Sequence, residues 1–260
     1  MTNFTSALND KILHFLYSNV AFQQLEEAQQ YAFIERFGLD KKFQEIVEVA
    51  LSMQESIQEV EATMPKILER DRLFLKTEQH ELLKANMVVK GNVYHVPFAK
   101  KQTNFSPFIV CVQCSQSMKQ YETYYKGLLL PLFNLCARQQ RDLIIIPFND
   151  QQHEPILYTH GQFTLDSFDL LFSMQQKGEA TIVPAIEQAL ALLAGDEIQH
   201  VPEVMFVTDN QFTDFEAVIQ ADYETAFLDV DAEVSVIAMS EIDFEIQPIP
   251  FANKVFYVGE

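Results

Sequence analysis

Two uninterrupted apolar runs, Pro107 to Val112 and Leu143 to Phe148, constrain this chain more than any other feature. A strand with water on one side alternates apolar and polar residues, so a run without alternation has to be covered on both faces. Between the runs, Tyr121 to Arg138 repeats apolar residues at helical spacing, with Pro131 as a bend. Strand, helix, strand is the connection that joins parallel neighbours. Downstream, Glu154 to Thr159 reads as a short edge strand and Ser167 to Gln176 and Val183 to Leu193 as helices. Glu203 to Thr208, Glu233 to Met239 and Lys254 to Val258 read as further strands, with Thr213 to Phe227 as one amphipathic helix between two of them. The expected fold is therefore α/β: a mostly parallel six-stranded sheet with helices on both faces.

The character ahead of this alternation is different. Apolar residues recur at helical spacing in Ala7 to Val20, in Leu25 to Phe37 with Gly38 as a C-cap, in Phe43 to Ile57 and in Glu61 to Lys84. Gly91 to Pro97 reads as an extended connector. The division expected is a helical N-terminal region, residues 1–100, followed by an α/β domain, residues 101–260.

Composition narrows the function. Hydrophobic residues make up 48 % and charged residues 21 %, a globular balance that excludes disorder over most of the length. The apolar stretches, Leu128 to Leu132 among them, fall far short of the roughly 20 residues that span a bilayer. Met1 to Asp10 has neither a basic nor an apolar leader segment, and Cys111, Cys114 and Cys136 lack zinc spacing. Both observations point to a reducing, cytoplasmic setting. Cys111 and Cys136 are expected to be buried, and Cys114 more exposed. The net charge is -19, and Ala191 to Glu260 holds fifteen Asp or Glu and one basic residue, Lys254, an excess of 14. Such a surface repels nucleic acid and attracts a partner with a basic face. Asp214, Glu216, Asp222 and Glu224 are expected to face outward, with Phe212, Phe215, Val218 and Ile219 packed on the sheet.

The informative residues stand where strands end. The first strand runs out into Gln113-Cys114-Ser115-Gln116-Ser117, Gly178-Glu179-Ala180-Thr181 precedes a helix, and Val204 to Val207 runs into Thr208-Asp209. In a parallel sheet, ligands bind beside the C-terminal strand ends where strand order reverses. Two Ser, one Thr and one Asp on three such loops can converge on a hard cation. Hydroxyl and carboxylate oxygens suit Mg²⁺, and an incomplete shell leaves a position for a partner's acidic side chain. Taken singly, the same residues are helix caps and a turn.

Together and in this order they resemble the metal-ion-dependent adhesion site of von Willebrand A (VWA) domains, whose first loop reads Asp-x-Ser-x-Ser. The resemblance spans most of the chain after Ser106 and is closest to the ViaA/CoxE-like bacterial VWA proteins. Ser106 to Val112 looks like the strand entering the site there, Arg141 to Phe148 like their second strand, and Val236 to Ser240 like their fifth. It implies a Rossmann-like VWA domain, a helical region ahead of it, a cytoplasmic location and a MoxR-type AAA+ ATPase as partner. The chain departs from the family at Gln113, where the family has Asp, and at Gln116, where Gly usually separates the serines. Gly178-Glu179-Ala180-Thr181 only approximates the usual Gly-Gly-Thr-Asp. The resemblance therefore implies a degenerate metal site made of Gln113, Ser115, Ser117, Thr181 and Asp209, binding Mg²⁺ weakly or not at all. The competing reading is a hydrogen-bonded polar cluster that caps helix ends.

Catalysis is the other function class. Ser115 or Ser117 as nucleophile with His153 or His160 as base describes a hydrolase. The chain has no Gly-x-Ser-x-Gly elbow and, with 7 Gly, no Gly-rich phosphate loop. The expectation is a non-catalytic, protein-binding adaptor, with the hydrolase or metal-dependent enzyme as the alternative.

Overall fold

The computed structural model describes residues 10–53, 106–194, 201–239 and 249–258. The expected helix Glu61 to Lys84, the connector Gly91 to Pro97 and the boundary at residues 100 and 101 lie outside the described residues.

Six strands form one sheet: β1 (Phe108–Gln113), β2 (Leu143–Phe148), β3 (Ile156–Tyr158), β4 (Glu203–Thr208), β5 (Glu233–Met239) and β6 (Lys254–Val258). Their order is β3-β2-β1-β4-β5-β6. Every neighbouring pair is parallel except β2 and β3. All residues of β1 and β2 are buried, which is why neither strand alternates in sequence. Side chains of a strand point to opposite faces in turn. Phe108, Val110 and Val112 accordingly join one core and Ile109 and Cys111 the other.

The first core is covered by α1 (Asp10–Ser18), α2 (Val20–Gln23), α3 (Glu27–Phe37), α4 (41–53), α5 (Glu122–Gln139) and α6 (Leu165–Ser173). Phe15, Phe33, Ile46, Phe133 and Phe168 bury here against Val110, Ile145 and Val207. The N-terminal helices thus share a core with the sheet. Phe33 packs its ring on Phe168 with centroids 4.8 Å apart, and Lys42 and Arg36 pair with Glu122 and Asp169 at 2.5 Å each. Gly127 lets α4 approach α5: a Cβ there would lie 2.6 Å from a Val49 methyl. The second face is covered by α7 (Val183–Leu193), α8 (Phe215–Gln220) and α9 (Tyr223–Asp229), through Ile186, Val218 and Phe227.

Two expected helices are each broken, both at a polar side chain that starts a new helix. Ala7 to Val20 breaks at Asn19, whose Oδ1 accepts from Phe22 N at 3.3 Å. Thr213 to Phe227 breaks at Asp222, whose carboxylate accepts from Thr225 N at 3.1 Å. The surface also differs from the expected one. Asp214 turns inward, its carboxylate accepting from Ile182 N at 3.0 Å and Val183 N at 2.9 Å at the start of α7. Ile219, expected against the sheet, is 61 % exposed. Glu216, Asp222 and Glu224 are exposed as expected.

Candidate functional site

Strand order reverses between β1 and β4: the chain leaves β1 toward β2 and β3, then returns to β4 on the other side. In parallel sheets the loops beyond such a reversal diverge, and ligands bind beside these C-terminal strand ends. Gln113 is the last residue of β1, and Asp209 directly follows β4. Both are buried, Gln113 at 0 % and Asp209 at 6 % exposure.

The Gln113 amide joins the two ends. Its Nε2 donates to Ser115 Oγ at 2.6 Å and to Asp209 Oδ1 at 2.8 Å, with Ser117 Oγ at 3.4 Å. Its Oε1 accepts from the Thr208 hydroxyl and from Asp209 N. The amide's orientation follows from chemistry, because Asp209 N can only donate and an ionised Asp209 Oδ1 can only accept. A carboxylate at position 113 would set two negative charges in contact. Ser115 and Ser117 bond each other through their hydroxyls at 2.8 Å. Asp209 Oδ1 also accepts from Gln211 N at 3.1 Å, while Asp209 Oδ2 is buried without a hydrogen-bond partner.

Of the residues expected at the site, Gln113, Ser115, Ser117 and Asp209 come together. Thr181 goes elsewhere: its hydroxyl donates to the Asn149 carbonyl at 2.6 Å. The segment before it still supports the first loop, through Gln116 N to Gly178 O and Lys177 N to Cys114 O, both at 3.0 Å. Gly178 has a φ of +69°, a conformation in which an L side chain is strained, and the exposed Asp150 carboxylate lies over its Cα. Thr208, absent from the expected set, supplies a bond to Gln113 and accepts from Asn210 N at 2.8 Å. Its only sequence signal is a hydroxyl at the end of an apolar strand.

Mg²⁺ requires about six oxygens at about 2.0–2.1 Å in octahedral array. Here the oxygens that would supply part of that shell are directed at the Gln113 nitrogen, which holds the position a cation would need. As placed, these residues do not fit the ion.

Among the described residues neither serine is bonded to a histidine. His153 Nε2 engages Asn149 Oδ1 at 3.0 Å, and His160 Nδ1 lies 3.4 Å from Asp142 Oδ1. Cys114 is not the exposed thiol expected. It is 2 % exposed, and burial pushes its pKa up to about 12, which keeps it protonated. Beside it a charge network is buried on α5: Lys126 donates to Glu122 and to the Phe172 carbonyl, both at 2.6 Å.

The sequence matches no protein-family model and no curated protein. Among solved structures, similar ones include the SpRpn10 VWA domain, at 10 % identity and a TM-score of 0.47, with 60 % of this chain and 89 % of that one covered. The pilus adhesin SpaC from Lactobacillus rhamnosus GG, in its open conformation, is similar at 14 % identity and a TM-score of 0.44, covering 57 % of this chain and 26 % of that one. A von Willebrand factor type A structure from Catenulispora acidiphila is similar at 9 % identity and a TM-score of 0.40, covering 53 % of this chain and 34 % of that one. The chain thus spans less than two thirds of the length of the last two.

Proposed function

We propose that this chain is a non-catalytic, protein-binding adaptor of the VWA type, cytoplasmic, independent of any cofactor, and working with a MoxR-type AAA+ ATPase. The observation that carries this reading is the pre-assembled polar cluster at the β1 and β4 ends. It stands where an α/β sheet presents its ligand site, and it still carries one unpartnered carboxylate oxygen. Its serines are engaged by Gln113 and by each other, which favours binding over the hydrolase alternative. The ATPase enters through the sequence resemblance. No helix among the described residues is long and apolar enough to cross a membrane, which is compatible with such a partner.

The test mixes the purified chain with a purified MoxR-type ATPase from the same organism and measures association by calorimetry. Saturable binding that is lost on Asp209→Ala is the expected result. Absence of binding, together with ester or phosphoester turnover that disappears on Ser115→Ala, would overturn the reading in favour of a hydrolase.

A further inference from the structure

Asp209 presents an incomplete site. Its Oδ1 is taken by Gln113 Nε2 and Gln211 N, while its Oδ2 accepts from nothing and is shut away from water. Gln113 has committed both amide protons to Ser115 and Asp209. Among the described residues no Lys, Arg or His side chain pairs with Asp209. The cluster of Gln113, Ser115, Ser117, Thr208 and Asp209 therefore holds one formal negative charge, and what it lacks is a cationic donor.

We propose that this cluster is the docking site for a lysine side chain of a protein partner. The inference rests on the protein-binding reading above and gives its ligand a chemistry. Three observations select lysine. A divalent cation competes for the point that the Gln113 nitrogen occupies, whereas an ammonium needs only the free Oδ2. An arginine fork binds best to two free carboxylate oxygens, and here Oδ1 already has two donors. The remaining protons of an ammonium find acceptors in the serine hydroxyls, each with two lone pairs. Because Asp209 Oδ2 is covered in the free chain, the ammonium has to enter past Ser117, the half-buried and most exposed member of the cluster, with the 115–117 loop giving way to admit it.

The sign of the ligand is thereby reversed. A cation held by these loops would attract a partner's acidic side chain, whereas an amide in the cation's place leaves Asp209 to attract a basic one. The long-range field agrees, since an excess of 14 negative charges lies between Ala191 and Glu260, the segment that contains Asp209.

The experiment titrates the ¹⁵N-labelled full chain with the peptide acetyl-Gly-Lys-Gly-amide. Parallel titrations use the peptides with norleucine, arginine or glutamate in place of lysine, and MgCl₂. Saturable shifts of the Gln113 side-chain amide and the Gln211 backbone amide are expected with lysine, with norleucine weaker by about thirtyfold or more. Asp209→Asn, checked for folding by its own spectrum, should lose the lysine response by a similar factor. Ser117→Ala, which keeps the charge, should weaken it less. Saturation by the glutamate peptide or by Mg²⁺ at the same resonances, or no response to lysine, overturns the proposal. ATPase binding that survives Asp209→Asn unchanged defeats this inference and leaves the adaptor reading standing. Lysine binding without any ATPase binding does the reverse for the named partner.

Discussion

Gln113 Nε2 donates to Asp209 Oδ1 at 2.8 Å, tying the end of β1 to the end of β4 across a sequence separation of 96. Gln113→Ala removes this bond, takes the Oε1 acceptor from the Thr208 hydroxyl and Asp209 N, and leaves Ser115 with Ser117 alone. The expected cost is about 3 kcal/mol in urea denaturation, since each buried group left unpaired costs about 1–3 kcal/mol. A cost below about 0.5 kcal/mol contradicts the role assigned to the amide. Gln113→Asp shortens the side chain, introduces a carboxylate and vacates the centre. Its midpoint is expected to rise with added MgCl₂, while that of the parent protein stays unchanged. Tight Mg²⁺ binding by the parent in calorimetry, unaltered by Asp209→Ala, would refute this.

Glu122 contributes to acid stability. Burial works to raise its pKa, but hydrogen bonds from Lys126 and Lys42 outweigh burial and hold it below the ordinary value of 4.5. A carboxyl with a lowered native pKa contributes stability that is complete above its unfolded value and lost as pH falls through the native one. The urea midpoint should therefore drop below about pH 4.5, and Glu122→Gln should flatten that drop. At neutral pH the same variant is expected to cost about 3 kcal/mol, because Lys126 is fully buried and loses its carboxylate partner. Lys126→Met, which removes the charge, should stay within about 1 kcal/mol of the parent. Equal losses from both variants would contradict the assignment.

Gly127 decides how closely α4 lies on α5. Gly127→Val forces a side chain into space held by Val49 and the Ile46 carbonyl. It should cost about 1–3 kcal/mol through overpacking. Hydrogen exchange should speed up across 41–53 while β1 and β2 keep their protection. Unchanged exchange in α4 would show that the helix is held elsewhere.

Association with the partner should be electrostatically steered by Glu216 and Glu224, which are exposed on α8 and in the first turn of α9. Reversal of both to Lys is expected to slow association at low salt and to flatten its salt dependence. Asp214 and Asp222 are left out of that set because their carboxylates hold the starts of α7 and α9. An on-rate and salt slope equal to the parent's would remove this surface from the docking site.

Burial is legible in the sequence wherever the strand surroundings are uniform. Leu143 to Phe148 and Glu203 to Thr208 lie where their apolar runs predict, because a strand covered on both faces tolerates little else. Helix breaks are less legible. Asp222 keeps the helical period while its side chain bonds Thr225 N, a local competition that hydrophobic periodicity does not register.

At the candidate site, sequence alone determined which residue types stand at the strand ends. Only the tertiary structure decided what the Gln113 amide does, because its partner Asp209 follows β4, the sheet neighbour of β1 but three strands later in the chain. By residue type Thr181 and Ser117 are equivalent candidates. The fold gives Thr181 the Asn149 carbonyl and Ser117 the hydroxyl of Ser115. Residue type sets what a side chain can bond, whereas the bond it makes depends on which acceptor the rest of the chain brings within about 3 Å.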